Sequence, residues 1–158
     1  FVPPGVVSEK LRNRHWMPPE AQSWQQIAAD AVKIQRAGGL VGIGSHGEMQ
    51  GLGYQWKMQA YAAGGATSME VLKAATIGSA EVIGHSDDVG SLEPGKFADL
   101  LILDADPLVD IANAMKIGAV MKNGRLYDPA TLDEIWPNHN VLPASWFVPD
   151  LITPTPGR

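Results

Sequence analysis

Residues 90–104 read GSLEPGKFADLLILD, and their reading decides the fold. Gly90 and the Pro94-Gly95 pair are turn signals. They deliver the chain into a short strand over 99–103, whose apolar residues are consecutive rather than alternating. That pattern predicts cover on both faces. Downstream, 110–115 has the composition of a short helix. AVMKNGRLYD (119–128) then predicts a hairpin, because Asn123-Gly124 tolerates two positive φ angles in a tight turn. Upstream, TSMEVLKAATIGSAEVIG (67–84) predicts one helix. Thr67 and Glu70 stand at capping-box spacing, Met69, Leu72, Thr76, Ser79 and Ile83 share a stripe, and Gly84 closes it.

Further upstream, 54–63 predicts a helix ended by Gly64-Gly65. Residues 21–37 predict another, with Trp24, Ile27, Ala28, Ala31 and Ile34 on one face and Gly38-Gly39 as the stop. Between these two helices, 40–44 (LVGIG) reads as a short buried strand followed by a glycine-rich loop over 45–53. Helix, double Gly and short strand make the rhythm of a β/α fold. Residues 1–20 read as loop with one helical turn. Residues 128–158 form a polar, Pro-rich tail whose Trp136, Trp146 and Phe147 are expected to clamp it onto the body.

The chain of 158 residues is long enough for one domain with a real core. Its formal charge of −5, with no basic stripe, argues against a nucleic-acid partner, which would need clustered cations to displace counterions. The chain contains no cysteine, so disulfides, thiolate metal sites and thiol nucleophiles fall away together. No apolar run approaches bilayer-spanning length, so no membrane partner is expected. The opening FVPPGVVSEK lacks a basic n-region and a continuous apolar core, so it does not read as a signal peptide. The chain reads as cut from something longer.

Chemistry concentrates in LVGIGSHGEMQG (40–51). Gly42, Gly44 and Gly47 spell G-x-G-x-x-G. A dinucleotide site, however, needs a full strand before the glycines, a helix opening at the third, and an acid ending a second strand about 20 residues on. None of these is present. The other reading is a strand end, the place where β/α barrels carry their catalytic groups. There His46 could bind a metal or move protons near neutral pH. Alternatively, it is a histidine hydrogen-bonded within a loop. His15, His85 and His139 share no metal-ligand spacing with it. Asp87-Asp88 and Asp104/Asp106 read as turn formers. Ser45 lies in no nucleophile elbow.

From Gly42 to Leu132 the chain resembles the C-terminal part of the metal-dependent amidohydrolase superfamily. ATIGSAEVIG, GSLEPGKFADLLILDADPL and VMKNGRLYD carry the likeness. GSHGEMQGLGYQW and NGRLYDPATLDEIWP resemble the branch often fused to an N-terminal TolB-like propeller. The resemblance implies an α/β fold fragment: the last β/α element of a (β/α)8 barrel, with strands of a small composite β-sandwich. Residues 1–84 would be the C-terminal end of the barrel, with 40–44 as its eighth strand. Residues 85–127 would be sandwich strands, and 128–158 a C-terminal tail.

The implied activity is hydrolysis of peptide-like or non-peptide C–N bonds in a small-molecule substrate. One or two divalent metals, commonly zinc, would activate a water. In the family an Asp ending the eighth strand takes that water's proton. Here Ser45-His46 stands at that place, which makes His46 the catalytic candidate, with Glu48 and Gln50 lining the substrate mouth. Gln55 and Lys57 stand where the family pattern places a His and a Glu. The family's metal ligands lie on earlier strands, so the resemblance assigns no metal ligand to this chain. It is expected to be inactive without the missing barrel half. The alternative is a non-catalytic remnant that covers its open surfaces by self-association.

Overall fold

Paired glycines and one capping box delimit the helices of this chain. The computed structural model describes residues 23–46 and 51–143, together with Gly5 and Pro18. Helix α1 (Trp24–Arg36) stops at Ala37-Gly38, where Gly38 takes a φ of 85°. Helix α2 (Leu52–Ala63) ends at Gly64-Gly65. Helix α3 (Ser68–Ala75) opens on the predicted capping box: Thr67 accepts from the Glu70 N–H, and the Glu70 carboxylate accepts from the Thr67 N–H at 2.7 Å.

The expected single helix over 67–84 is broken. At Thr76 the backbone turns to φ −122°, ψ −97°, and a separate helix α4 (Ile77–Val82) follows. The break allows close approach. A Cβ on Gly78 would stand 2.7 Å from the Val41 carbonyl oxygen, and one on Gly90 would stand 2.7 Å from the Ala80 Cβ.

Four strands form an antiparallel meander in the order β1 (Leu100–Leu103), β2 (Ile117–Lys122), β3 (Arg125–Tyr127) and β4 (Glu134–Trp136). A 3-10 helix (Ile111–Met115) leads into β2, in agreement with the short helix expected there. The hairpin register pairs Lys122 with Arg125 around Asn123 (φ 49°) and Gly124 (φ 75°), as the dipeptide predicts. The sheet continues past residue 127 into β4, a strand that the polar composition of that segment hides.

The core joins the helices to the 3-10 helix. Val32, Met58, Tyr61, Ala66, Val71, Ala74, Ile111 and Ala114 form one buried cluster. Helix α1 turns only part of its expected face inward, since Ala31 packs against the core beside the buried Ala28. Ala28 and Val32 are buried, while Trp24, Ile27 and Ile34 are 41%, 64% and 53% exposed. Strand β1 is likewise not covered on both sides, since Leu101 and Ile102 are about half exposed. Trp136 is 56% exposed, while Trp146 and Phe147 lie outside the described residues. Among the described residues, no helix is long and apolar enough to cross a membrane.

Candidate functional site

Residues 40–44 form no strand among the described residues, which corrects the expectation of a buried one. A strand exists only by pairing, and no neighbouring strand lies beside this segment among the described residues. Its backbone is held by the α3–α4 break. Ending α3 at Ala75 leaves its last carbonyls without partners inside the helix. The Ala74 carbonyl accepts from the Ser79 hydroxyl at 2.8 Å and from the Ile43 N–H at 3.3 Å. The Ala75 carbonyl accepts from the Tyr54 phenol at 2.5 Å. Burial pushes the Tyr54 phenol pKa up from its ordinary value.

Ser79 is the centre of this arrangement. The Ile43 N–H donates to its Oγ at 3.0 Å, and Oγ lies 3.2 Å from the Ile43 carbonyl oxygen. Gly42 packs on the same residue, since a Cβ there would stand 3.1 Å from the Ser79 Cα. Gly42 therefore admits a helix against the backbone. The next helix among the described residues begins at Leu52.

His46 ends this anchored segment. Its backbone is left-handed, with φ 56°, and its side chain is exposed. Non-glycine residues rarely adopt that conformation, though His is among those that do so more often. The imidazole has no hydrogen-bond or ion-pair partner among the described residues, so the loop-bonded alternative finds no support there. Glu48 and Gln50, the expected substrate-mouth residues, lie outside the described residues.

Gln55 donates its side-chain amide to the Ala114 carbonyl at 3.2 Å, tying α2 to the 3-10 helix. Lys57 is exposed. His85 lies 3.2 Å from the Asp88 carboxylate within a turn. Asp106 accepts from the Leu108 N–H at 2.7 Å, as its reading as a turn former anticipates. Among the described residues, no group of three or more His, Asp or Glu is placed to hold a metal ion. The donor set among the described residues does not fit a catalytic zinc, which takes about three protein ligands.

Sequence reasoning missed two features. Ser79 stood in the helix stripe, but its contact with Ile43 spans 36 positions and leaves no local signal. Glu134 is buried in the sheet, where its carboxylate accepts from the Asn140 amide at 2.8 Å and from the Asn138 side chain at 3.3 Å. The Asn140 hydrogen bond in particular holds its pKa below the ordinary glutamate value.

The sequence model of the amidohydrolase family matches residues 27–127. The chain belongs to the amidohydrolase family. An imidazolonepropionase of Shouchella clausii (strain KSM-K16) is 40% identical over 63 residues, which is 38% of this chain and 14% of that protein. A 5-methylthioadenosine/S-adenosylhomocysteine deaminase of Symbiobacterium thermophilum is 48% identical over 40 residues, 25% of this chain and 9% of that protein. Among solved structures, a Xaa-Pro dipeptidase with methionine bound in its active site superposes with a TM-score of 0.60 at 26% identity. That match covers 77% of this chain and 32% of the dipeptidase. The chain thus spans less than a sixth of the two curated relatives and about a third of the solved one.

Proposed function

We propose that this chain is the C-terminal portion of a metal-dependent amidohydrolase that cleaves amide, amidine or peptide-like C–N bonds. In this reading it is inactive alone. Support comes from one conjunction: the family match runs over residues 27–127, while the described residues hold no three-ligand metal group. The relatives named as imidazolonepropionase, deaminase and Xaa-Pro dipeptidase all point to C–N chemistry. Residues 1–84 would close the catalytic barrel, 85–127 would belong to the β-sandwich, and 128–158 would be a terminal tail. The divalent metal, with zinc the first candidate, would sit on ligands of the remaining barrel, preceded in the parent by a TolB-like propeller.

His46 is this chain's contribution to the reaction. It stands at the end of the anchored segment, exposed and unpaired among the described residues. It would take and return the proton that the family assigns to an Asp. Glu48 and Gln50 would meet the small-molecule substrate.

A second reading has its own observation. Ile27 and Ile34 of α1 are 64% and 53% exposed, and Leu40 is 64% exposed. A remnant domain could cover these side chains with a second copy. Native mass spectrometry of the purified chain, with a hydrolysis assay on a cyclic amide and a Xaa-Pro dipeptide, separates the two. The first reading expects no tightly held metal and no turnover until the rest of the barrel is supplied. Turnover by the chain alone that a chelator abolishes overturns the inactivity. A metal-free oligomer that stays silent with the barrel present supports the remnant.

A further inference from the structure

We infer that Ser79 is a positioning residue for His46, acting through the backbone of residues 41–45; this rests on His46 being the functional group of the site. The α3–α4 break leaves the Ala74 carbonyl in need of donors, and Ser79 and Ile43 both supply them, at 2.8 and 3.3 Å. The Ser79 hydroxyl also meets the Ile43 N–H at 3.0 Å, so one side chain joins the helix end to the segment that carries His46.

Two glycines make that junction possible. Any Cβ at Gly78 would stand 2.7 Å from the Val41 carbonyl oxygen, and one at Gly42 would stand 3.1 Å from the Ser79 Cα. The segment is thereby held by backbone contact on one side and by the Ser79 hydroxyl at its middle. Three residues further on, the chain turns left-handed at His46. A segment outside the sheet has no ladder of its own to fix its register, so a single side-chain anchor governs where its end points. Ser79 touches no reacting group. Its effect runs through Ile43.

The test uses the full chain, isotopically labelled and read by NMR, and needs no activity. Ser79→Ala is expected to speed hydrogen exchange at the Ile43 amide by about tenfold or more. It should also shift the His46 ring resonances. Thr67→Ala serves as the control, because it weakens the α3 cap without touching the segment. It should lower the melting temperature and leave both the Ile43 exchange and the His46 signals in place. If Ser79→Ala fails to fold, Ser79→Cys keeps the size with a weaker hydrogen-bonding group and should show the same changes in smaller degree. Unmoved His46 signals in the folded Ser79 variant overturn the inference. So does a Thr67→Ala chain in which His46 moves as far. Neither result depends on whether His46 takes part in hydrolysis, which the turnover assay addresses separately.

Discussion

The helices and the sheet of this chain are held together by different chemistry. From 24 to 82 the buried side chains are apolar: Val71 and Ala74 are fully enclosed, and Val32, Met58 and Tyr61 close around them. Across the sheet only Ala119 and the carboxylate-bearing Glu134 are buried among the strand residues described. There, acidic side chains take up backbone donors instead. Asp99 accepts from the Asn123 N–H at 2.6 Å, Asp128 from the Ala130 and Thr131 N–H groups at 2.8 and 2.9 Å, and Asp133 from the Leu142 N–H at 2.7 Å. One region therefore rests on area removed from water, the other on satisfied turns. The contrast teaches why the sheet's apolar residues, Leu101 and Ile102, remain half open: the turns fix the meander without needing a covered face.

The strongest way to break this contrast is to hollow the helical core. Val71→Ala removes two methyl groups from a position with no exposure, and should cost about 2 kcal/mol of stability in urea unfolding. A loss below about 0.5 kcal/mol would mean that the cluster is loosely packed and that the apolar account of this region is wrong. Thr67→Ala comes next. It removes one half of the capping box, and should cost about 1 kcal/mol by the same measurement.

Acid sharpens the comparison, because each region carries one well-held glutamate. The Arg36 guanidinium, at 2.8 and 2.9 Å, and the Thr67 N–H pull the Glu70 carboxyl down to about 2. A carboxyl whose folded pKa is depressed contributes stability above its unfolded value, near 4.5, and loses it as pH falls towards the folded value. The melting temperature should therefore fall between about pH 4.5 and 2, and Glu70→Gln should flatten part of that slope. Glu134, held down first by Asn140, has the same sign. Glu134→Gln should remove its share and leave the Glu70 share intact. If Glu134→Gln left the acid slope unchanged, the sheet would not depend on its buried carboxylate.

What could be read from the sequence was whatever is local. The capping box spans three positions and the Asn123-Gly124 turn two, and both stand where the residues place them. What could not be read depends on partners distant in the chain. The apolar residues of α1 mark a face, but nothing in the helix says that Ala28 and Val32 are buried while Ile27 and Ile34 stay exposed. Residues 40–44 have a strand's composition and, among the described residues, no strand to pair with. The break at Thr76 interrupts an unbroken helical pattern because Ile43 and Tyr54, far away in sequence, offer its carbonyls other donors. For the candidate site, His46 was legible as an isolated polar group after an apolar run, whereas the hydroxyl that anchors its segment was not.

His46 itself should give the smallest change in stability. Its φ of 56° costs an L-residue about 1 kcal/mol, and glycine would relieve that strain. Glycine also adds a comparable amount of freedom to the unfolded chain. The two effects oppose each other, so His46→Gly should leave urea stability within about 0.5 kcal/mol of the parent chain. His46→Ala, which keeps the strain and loses the ring, should also retain a cooperative melt. A collapse of that melt in either variant would make the imidazole a structural group and remove it from the site. Two intact melts, followed by loss of turnover in the completed barrel, would leave proton transfer as its role.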